Sequence, residues 1–248
     1  MKEKSREMVL NEDYYTVAAN DIIKGKQAMK LQTARLIRLA ITQVAQQDKD
    51  LQTYTVSITN LAEFLNISRD NLYRDIREIC KQAMESVVYI GTPNPKNPWK
   101  MIHWIGCAEY DGAGELTIKL SHELKPYVLE LDKWFTQYQL KNILEFTSFY
   151  AIRLYEILKC AEGEDPYENK GREYYYTIEE LRQFFGCEDK YERVSQFKAK
   201  TIEVAVREIN EKSDIEVYHE YKKRGREVVG VTFGVTMNYR KYQTSMFD

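Results

Sequence analysis

The chain carries the same unit twice, and a duplicated unit restricts the fold to an architecture that can be built in tandem. Tyr54 to Ile67 reads YTVSITNLAEFLNI, and Tyr174 to Cys187 reads YYYTIEELRQFFGC. Superposed, Tyr54 falls on Tyr174, Ile58 on Ile178, Leu61 on Leu181 and Phe64 on Phe184. An apolar helix with an Ile-Arg-Leu triplet precedes each copy, at Ile37-Arg38-Leu39 and Ile152-Arg153-Leu154. A charged helix and then a β-rich ribbon follow each. Helix, short helix, turn, second helix and ribbon make a winged helix-turn-helix. The predicted fold class is α+β, mostly helical, as two tandem winged-helix domains related by internal duplication.

The local patterns place the elements. Residues 1–12 are charged and predict a flexible arm. Tyr14 to Ile23 suits an edge strand, and Leu31 to Gln47 has the apolar spacing of an amphipathic helix. Thr53 to Ile58 alternates as a strand. Thr59 is placed to cap a short helix over Asn60–Asn66, and Ser68 to cap a second over Arg69–Ser86. Strands are expected at Val87–Ile90, Lys100–Glu109 and Glu115–Ser121, with a rigid loop at Gly91–Pro98 and a Gly-rich joint at Asp111–Gly114. His122–Trp134 reads as a connecting helix, with a stiff inter-module link near Asp132–Gln139. In the second copy, Lys141–Glu162 is a dense core helix and 162–172 a polar loop. Thr177 caps Ile178–Phe185, Gly186 ends that helix, and a long helix covers Val194–Lys212. Asp214–Tyr221 and Glu227–Val235 form a hairpin. The domains implied are an arm at 1–12, a first winged helix at 13–134 and a second at 135–240.

Two tandem modules of this kind suit the reading of duplex DNA, and the charge pattern locates the contacts. The hairpin tip holds Lys222, Lys223, Arg224 and Arg226, four cations in five residues. Such a cluster repels itself, and a phosphate backbone supplies the missing anions. A solvated turn is the alternative reading. On the preceding helix Arg193, Gln196, Lys200 and Arg207 fall near one face, with Ser195 and Lys198 flanking its start. Arg, Lys and Gln pair with purine edges in the major groove, although Glu203 and Glu208 would also fit an ordinary charged face. The first copy offers Ser68, Arg69, Asn71, Arg74 and Arg77, diluted by Asp70, Asp75 and Glu78. The net charge of −2 argues against a protein that coats DNA, but screening confines a charge's reach to about 8–10 Å, so local patches decide.

Other chemistries lack a signal. His103, His122 and His219 are scattered, and no HxH pair would hold a metal for a DNA-nicking tyrosine. There is no phosphate-binding loop of the GxxxxGK[ST] kind. Cys80, Cys107, Cys160 and Cys187 form no CxxC pair, which favours reduced, buried thiols over a metal site. The N-terminal residues lack the apolar run of a signal peptide, and no stretch is apolar enough for a membrane span. The expectation is a cytoplasmic, non-enzymatic protein with no cofactor, no metal and no membrane partner.

The order of residues resembles the iteron-binding replication initiators of theta-replicating plasmids. The resemblance is carried by FTQYQLKNILEFTSFYAIRLYEIL at Phe135–Leu158 and by Leu181-Arg182-Gln183-Phe184-Phe185-Gly186. Tyr191, Phe197-Lys198 and Ala205-Val206-Arg207-Glu208-Ile209-Asn210 follow in order, and Asn20–Ile23 and Ala34–Ile37 match more loosely. The resemblance implies monomers bound to directly repeated iterons, origin opening, and recruitment of the host replication initiator and helicase. It also implies homodimers that bind an inverted operator repeat and repress their own gene. The second domain would make the main contacts through Arg193, Ser195, Gln196, Lys198, Lys200 and Lys222–Arg226. The first domain would dimerise and assist. A transcriptional regulator without an initiation role, a rolling-circle nickase and a protein-binding scaffold are the competing readings.

Overall fold

The computed structural model describes residues 5–91, 96–131, 133–164 and 172–239. The chain divides into two compact units. One comprises the residues up to Gly25 together with Met29–Leu140, and the other Lys26–Ala28 together with the chain from Lys141 onward. The loops expected at Gly91–Pro98 and 162–172 fall in part on 92–95 and 165–171, and the expected link includes 132; these positions lie outside the described residues.

The first unit begins with strand β1 (Arg6–Glu7), β2 (Tyr15–Ala19), helix α1 (Asn20–Lys24) and α2 (Leu31–Thr42). Strand β3 (Thr53–Ser57), α3 (Ile58–Phe64), α4 (Arg69–Glu85), β4 (Val87–Gly91), β5 (Trp99–His103), β6 (Ile105–Tyr110) and β7 (Glu115–Leu120) follow. A short turn of helix α5 (Lys125–Val128) and strand β8 (Phe135–Gln139) complete it. The four-stranded sheet has the order β1-β3-β7-β6. Where α2 and α3 meet the sheet, Leu36, Ile37, Leu39, Leu61 and Leu116 are nearly sealed from solvent.

Several expectations are corrected here. The flexible arm is, over its described part, a docked strand: β1 pairs in parallel with β3, and Met8 N–H donates to the Thr55 carbonyl. Arg6 forms a two-point ion pair with Asp48 at 2.8 and 2.9 Å. Residues 135–139, assigned to the second domain by sequence, pair antiparallel with β2 in the first unit. The buried Thr136 hydroxyl there donates to Asn20 Oδ1 at 2.7 Å. The short helix starts earlier than expected, because Ser57 and not Thr59 accepts from the Asn60 N–H at 3.0 Å. His122–Trp134 is not one helix but a 3₁₀ turn followed by α5, since Pro126 is tolerated only in a first turn.

The second unit holds α6 (Lys141–Leu144), the core helix α7 (Phe149–Glu164), β9 (Arg172–Thr177) and α8 (Ile178–Phe184). Then come α9 (Val194–Phe197), a π-helical turn over Lys198–Ile202, α10 (Glu203–Lys212), β10 (Ile215–Arg224) and β11 (Glu227–Met237). The expected long helix 141–162 is broken at 145–148, and the buried Glu208 carboxylate caps the restart by accepting from the Thr147 and Ser148 N–H groups. Thr177 and Glu180 form a reciprocal capping box on α8. Gly186 ends it at φ +57, and an added Cβ there would lie 2.4 Å from the Gln27 carbonyl oxygen.

The duplication holds at the level of topology. The sheet order β3-β7-β6 in the first unit repeats as β9-β11-β10 in the second, each with its strand-to-helix entry in the same place. The hairpin β4–β5 has no counterpart among the described residues of the second unit. Of the two Ile-Arg-Leu arginines, both are buried: Arg38 stacks 5.4 Å from the Trp104 ring, and Arg153 donates to Glu156 at 2.6 Å.

Candidate nucleic-acid interface

The second unit presents the helix-turn-helix as α8, a turn over 185–193, and the helix α9–α10 with its π-turn. Arg182, at the end of α8, clamps the turn. It donates to the carbonyls of Lys190 and Tyr191 at 2.6 Å each, and its guanidinium lies 4.5 Å from the Phe197 ring. Tyr191 is held at φ +57. This clamp fixes where the second helix begins. It was invisible in sequence, where Arg182 reads as an ordinary exposed helix residue.

On that helix Arg193, Ser195, Gln196, Lys200 and Arg207 are exposed. The two carboxylates that seemed to dilute the face are engaged elsewhere. Glu208 is buried under α7, and Glu203 accepts from the Tyr221 hydroxyl at 2.6 Å and lies 3.6 Å from His219 Nε2. Burial, and then that bond, push the Tyr221 phenol well above its ordinary range. Lys198 is only half exposed, and its Nζ sits 3.5 Å from the Tyr221 ring centroid. It braces helix to wing, so it is not an open contact like its neighbours.

The wing is the β10–β11 hairpin. Its two-residue connection, Gly225-Arg226, starts with a glycine at φ +65, as the type II′ turn requires. Lys223, Arg224 and Arg226 are exposed, whereas Lys222 is paired with Glu220 at 2.8 Å. A bulge between Lys222 and Lys223 re-aims the tip. A groove of about 770 Å³ is lined by Val194 at the start of the helix, Arg224 at the wing and Arg182 of the clamp. Helix start and wing therefore border one surface.

The first unit differs. Ser68 serves as the cap of α4, its hydroxyl accepting from Asn71 N–H at 3.3 Å. Arg69 stacks on Tyr73, and Arg74 is tied to Asp75 at 2.8 and 2.9 Å. Asn71 and Arg77 are exposed; Arg77 lies beside an apolar groove with Tyr73, Met84 and Tyr110. The corresponding hairpin tip is Asp111–Gly114, where Asp111 accepts three backbone N–H groups and no cation is present. Those bonds hold its carboxylate below the ordinary range. The cationic hairpin tip thus belongs to the second unit and not to the first.

Among the described residues no His, Cys, Asp and Glu group could hold a metal ion, and no helix is long and apolar enough to cross a membrane. The thiols correct one expectation: Cys80, Cys160 and Cys187 are buried but Cys107 is exposed, because β6 is an edge strand. Burial pushes the Cys80 and Cys187 thiols up to about 11, which keeps them protonated.

Comparison with known proteins agrees with this architecture. The chain is 25% identical over 186 residues to a replication initiation protein of Escherichia coli, a match covering 74% of this chain and 57% of the relative. In fold it is similar to the crystal structure of the Pi initiator protein in complex with iteron DNA. The TM-score is 0.70 at 19% identity, covering 92% of this chain and 98% of the other. Residues 15–159 match the family described as Initiator Replication protein, WH1, and residues 177–235 that described as Initiator Rep protein, WH2. With both winged helices matched in order, the chain belongs to the replication initiator protein family.

Proposed function

We infer that this chain is a sequence-specific double-stranded DNA-binding initiator of plasmid replication, acting on directly repeated iterons at an origin. The carrying observation is the second unit's surface: a helix on which Glu208 is buried and Glu203 is bonded to the Tyr221 hydroxyl, next to a wing tip with three open cations. In this reading the Gln196 and Lys200 side chains meet base edges, while Arg193, Arg207, Lys223, Arg224 and Arg226 meet phosphates. The Pi initiator, similar in fold, was crystallised with iteron DNA, which supports assigning the same ligand class here. Binding and strand opening need no covalent step, so no catalytic group is assigned. Origin opening, recruitment of host initiator and helicase, and autorepression by a homodimer on an inverted repeat belong to the same reading. The first unit would supply the dimer surface and secondary DNA contacts.

The test is the salt dependence of binding. Replacing Lys223, Arg224 and Arg226 together by Ala flattens the slope of log affinity against log salt by about 2.7, about 0.9 for each phosphate no longer neutralised. Replacing Gln196 or Lys200 by Ala instead costs about 1–3 kcal/mol on the preferred duplex and little on random DNA. An unchanged slope in the triple variant sinks the wing assignment. Equal losses on both duplexes turn Gln196 and Lys200 into phosphate contacts.

A further inference from the structure

The helix that carries Gln196 and Lys200 is not a uniform α-helix. Between α9 and α10, residues Lys198–Ile202 form a π-turn, in which the Glu203 N–H donates to the carbonyl of Lys198, five residues back. A π-turn inside an α-helix is a local one-residue insertion and is frequent at functional sites. Its geometric effect here is readable from burial. Phe197 and Ile202 are both fully buried, as are Ala205 and Ile209. Along an uninterrupted α-helix, positions five apart point about 140° away from each other, so one of the two would leave the core. The extra residue brings both inward. It thereby fixes the orientation of the first half of the helix relative to α10, which Ala205, Ile209 and Glu208 anchor. Gln196, adjacent to Phe197, turns with it.

One side chain is placed to hold the π-turn. Thr201 is fully buried, and its hydroxyl donates to the Phe197 carbonyl at 2.7 Å. Threonine back-bonding of this kind bends an ordinary helix and slightly destabilises it. In the centre of a core helix an aliphatic residue would pack as well, so the hydroxyl has a local task. It gives the Phe197 carbonyl a donor at the step where the α-helical bonding pattern is interrupted.

We propose that Thr201 is a positioning residue for sequence reading: its hydroxyl stabilises the π-turn that turns Gln196 and Lys200 toward the DNA. Thr201 itself touches no base and no phosphate. The proposal rests on the base-reading role assigned above to Gln196 and Lys200. It differs from a stability role, because general loosening of the helix would weaken binding to all DNA alike.

The experiment uses the full chain and a duplex enriched by the wild-type protein from a randomised pool, beside an unrelated duplex of equal length. Thr201→Val keeps the shape and removes the hydroxyl. Thr201→Ser and Thr201→Ala form a second pair that differs only in the hydroxyl, so a poorly folding valine variant does not stop the test. The expected result is a loss of about ten-fold on the enriched duplex for Val and Ala, the size of one base contact, with Ser near wild type. Binding to the unrelated duplex stays within about two-fold, against that ten-fold, and amide exchange at Glu203 speeds up in Val and Ala alone. Retained selectivity in Val and Ala overturns the proposal. So does an equal loss in Ser, or an equal loss on both duplexes. A wild-type protein that enriches no sequence overturns the reading of Gln196 and Lys200 itself, an outcome distinct from all of these.

Discussion

At the scale of single residues, the second unit places a charge pair where almost no water reaches. Arg153 and Glu156, one turn apart on α7, are essentially unexposed and bond at 2.6 Å, and Arg153 Nε also donates to the Phe184 carbonyl at 3.3 Å. That second bond ties the core helix to the end of α8 and so to the start of the turn. Two desolvated charges add little net stability as a pair, but removing one partner strands the other. Glu156→Ala is expected to cost about 3–5 kcal/mol in urea unfolding, far more than Glu179→Ala on the exposed face of α8. A loss below about 1 kcal/mol, the range of a surface pair, would mean that water reaches Arg153. The sequence flagged this arginine through its repeated Ile-Arg-Leu triplet, yet held no hint that it is buried. An arginine in an apolar helix reads as an exposed stripe even with Glu156 one turn away, until its second acceptor, the distant Phe184 carbonyl, is known.

At the scale of elements, what was legible and what was not follows from the range of the determining contacts. The helix α8 was readable because its cap Thr177 and its apolar spacing lie within a dozen residues, whereas at α3 the strand alternation and apolar spacing were readable but the cap fell on Ser57 and not on Thr59. The hairpin β10–β11 was readable from its glycine-centred turn. The docked β1 was not, because its partners Tyr54 and Thr55 and the Asp48 carboxylate are far along the chain. The π-turn left one signal that the reading of a single long helix passed over: the apolar Phe197 and Ile202 stand five apart, out of step with a 3.6-residue repeat. The docking of β1 carries its own test. Hydrogen bonds from Arg6 hold the Asp48 carboxyl below its ordinary 3.8. A depressed acid stabilises the fold above its unfolded value, and that contribution fades as pH falls through the lower folded value. Protection of the Met8 amide, which donates to Thr55, measured against its intrinsic exchange rate at each pH, should therefore hold at neutral pH and fall as pH drops below 3.8. Arg6→Ala should show fast exchange already at neutral pH. Slow exchange in that variant would assign the docking to the strand pairing alone.

At the scale of the whole molecule, the duplicated units share a topology but not a surface. Selection of contacts by charge is possible because the second unit's wing is cationic where the first unit's tip is acidic, a difference that the net charge of −2 averages away. The division between the units is equally hidden from composition, since no Gly- or Ser-rich spacer marks it. Strand β8 decides the matter physically. It pairs along its whole length with β2, buries Tyr138, and hands on to Leu140, whose N–H donates to the Tyr14 carbonyl at 2.9 Å. Thr136 supplies a hydrogen-bond partner to the buried Asn20. A fragment ending at Trp134 loses all of these, and two large buried side chains alone are worth about 1.5–3 kcal/mol each. A fragment ending at Leu140 keeps them. The expectation is a cooperative urea transition for the longer fragment and a midpoint lowered by about 1 M or more for the shorter one, at a slope of about 1–3 kcal/mol per molar. Removing the same residues from the second unit, by starting it at Lys141 instead of Phe135, should leave its own unfolding unchanged. If the shorter first fragment is as stable as the longer, or if the second unit needs residues 135–140 to fold, then β8 belongs energetically to the second unit despite its pairing with β2.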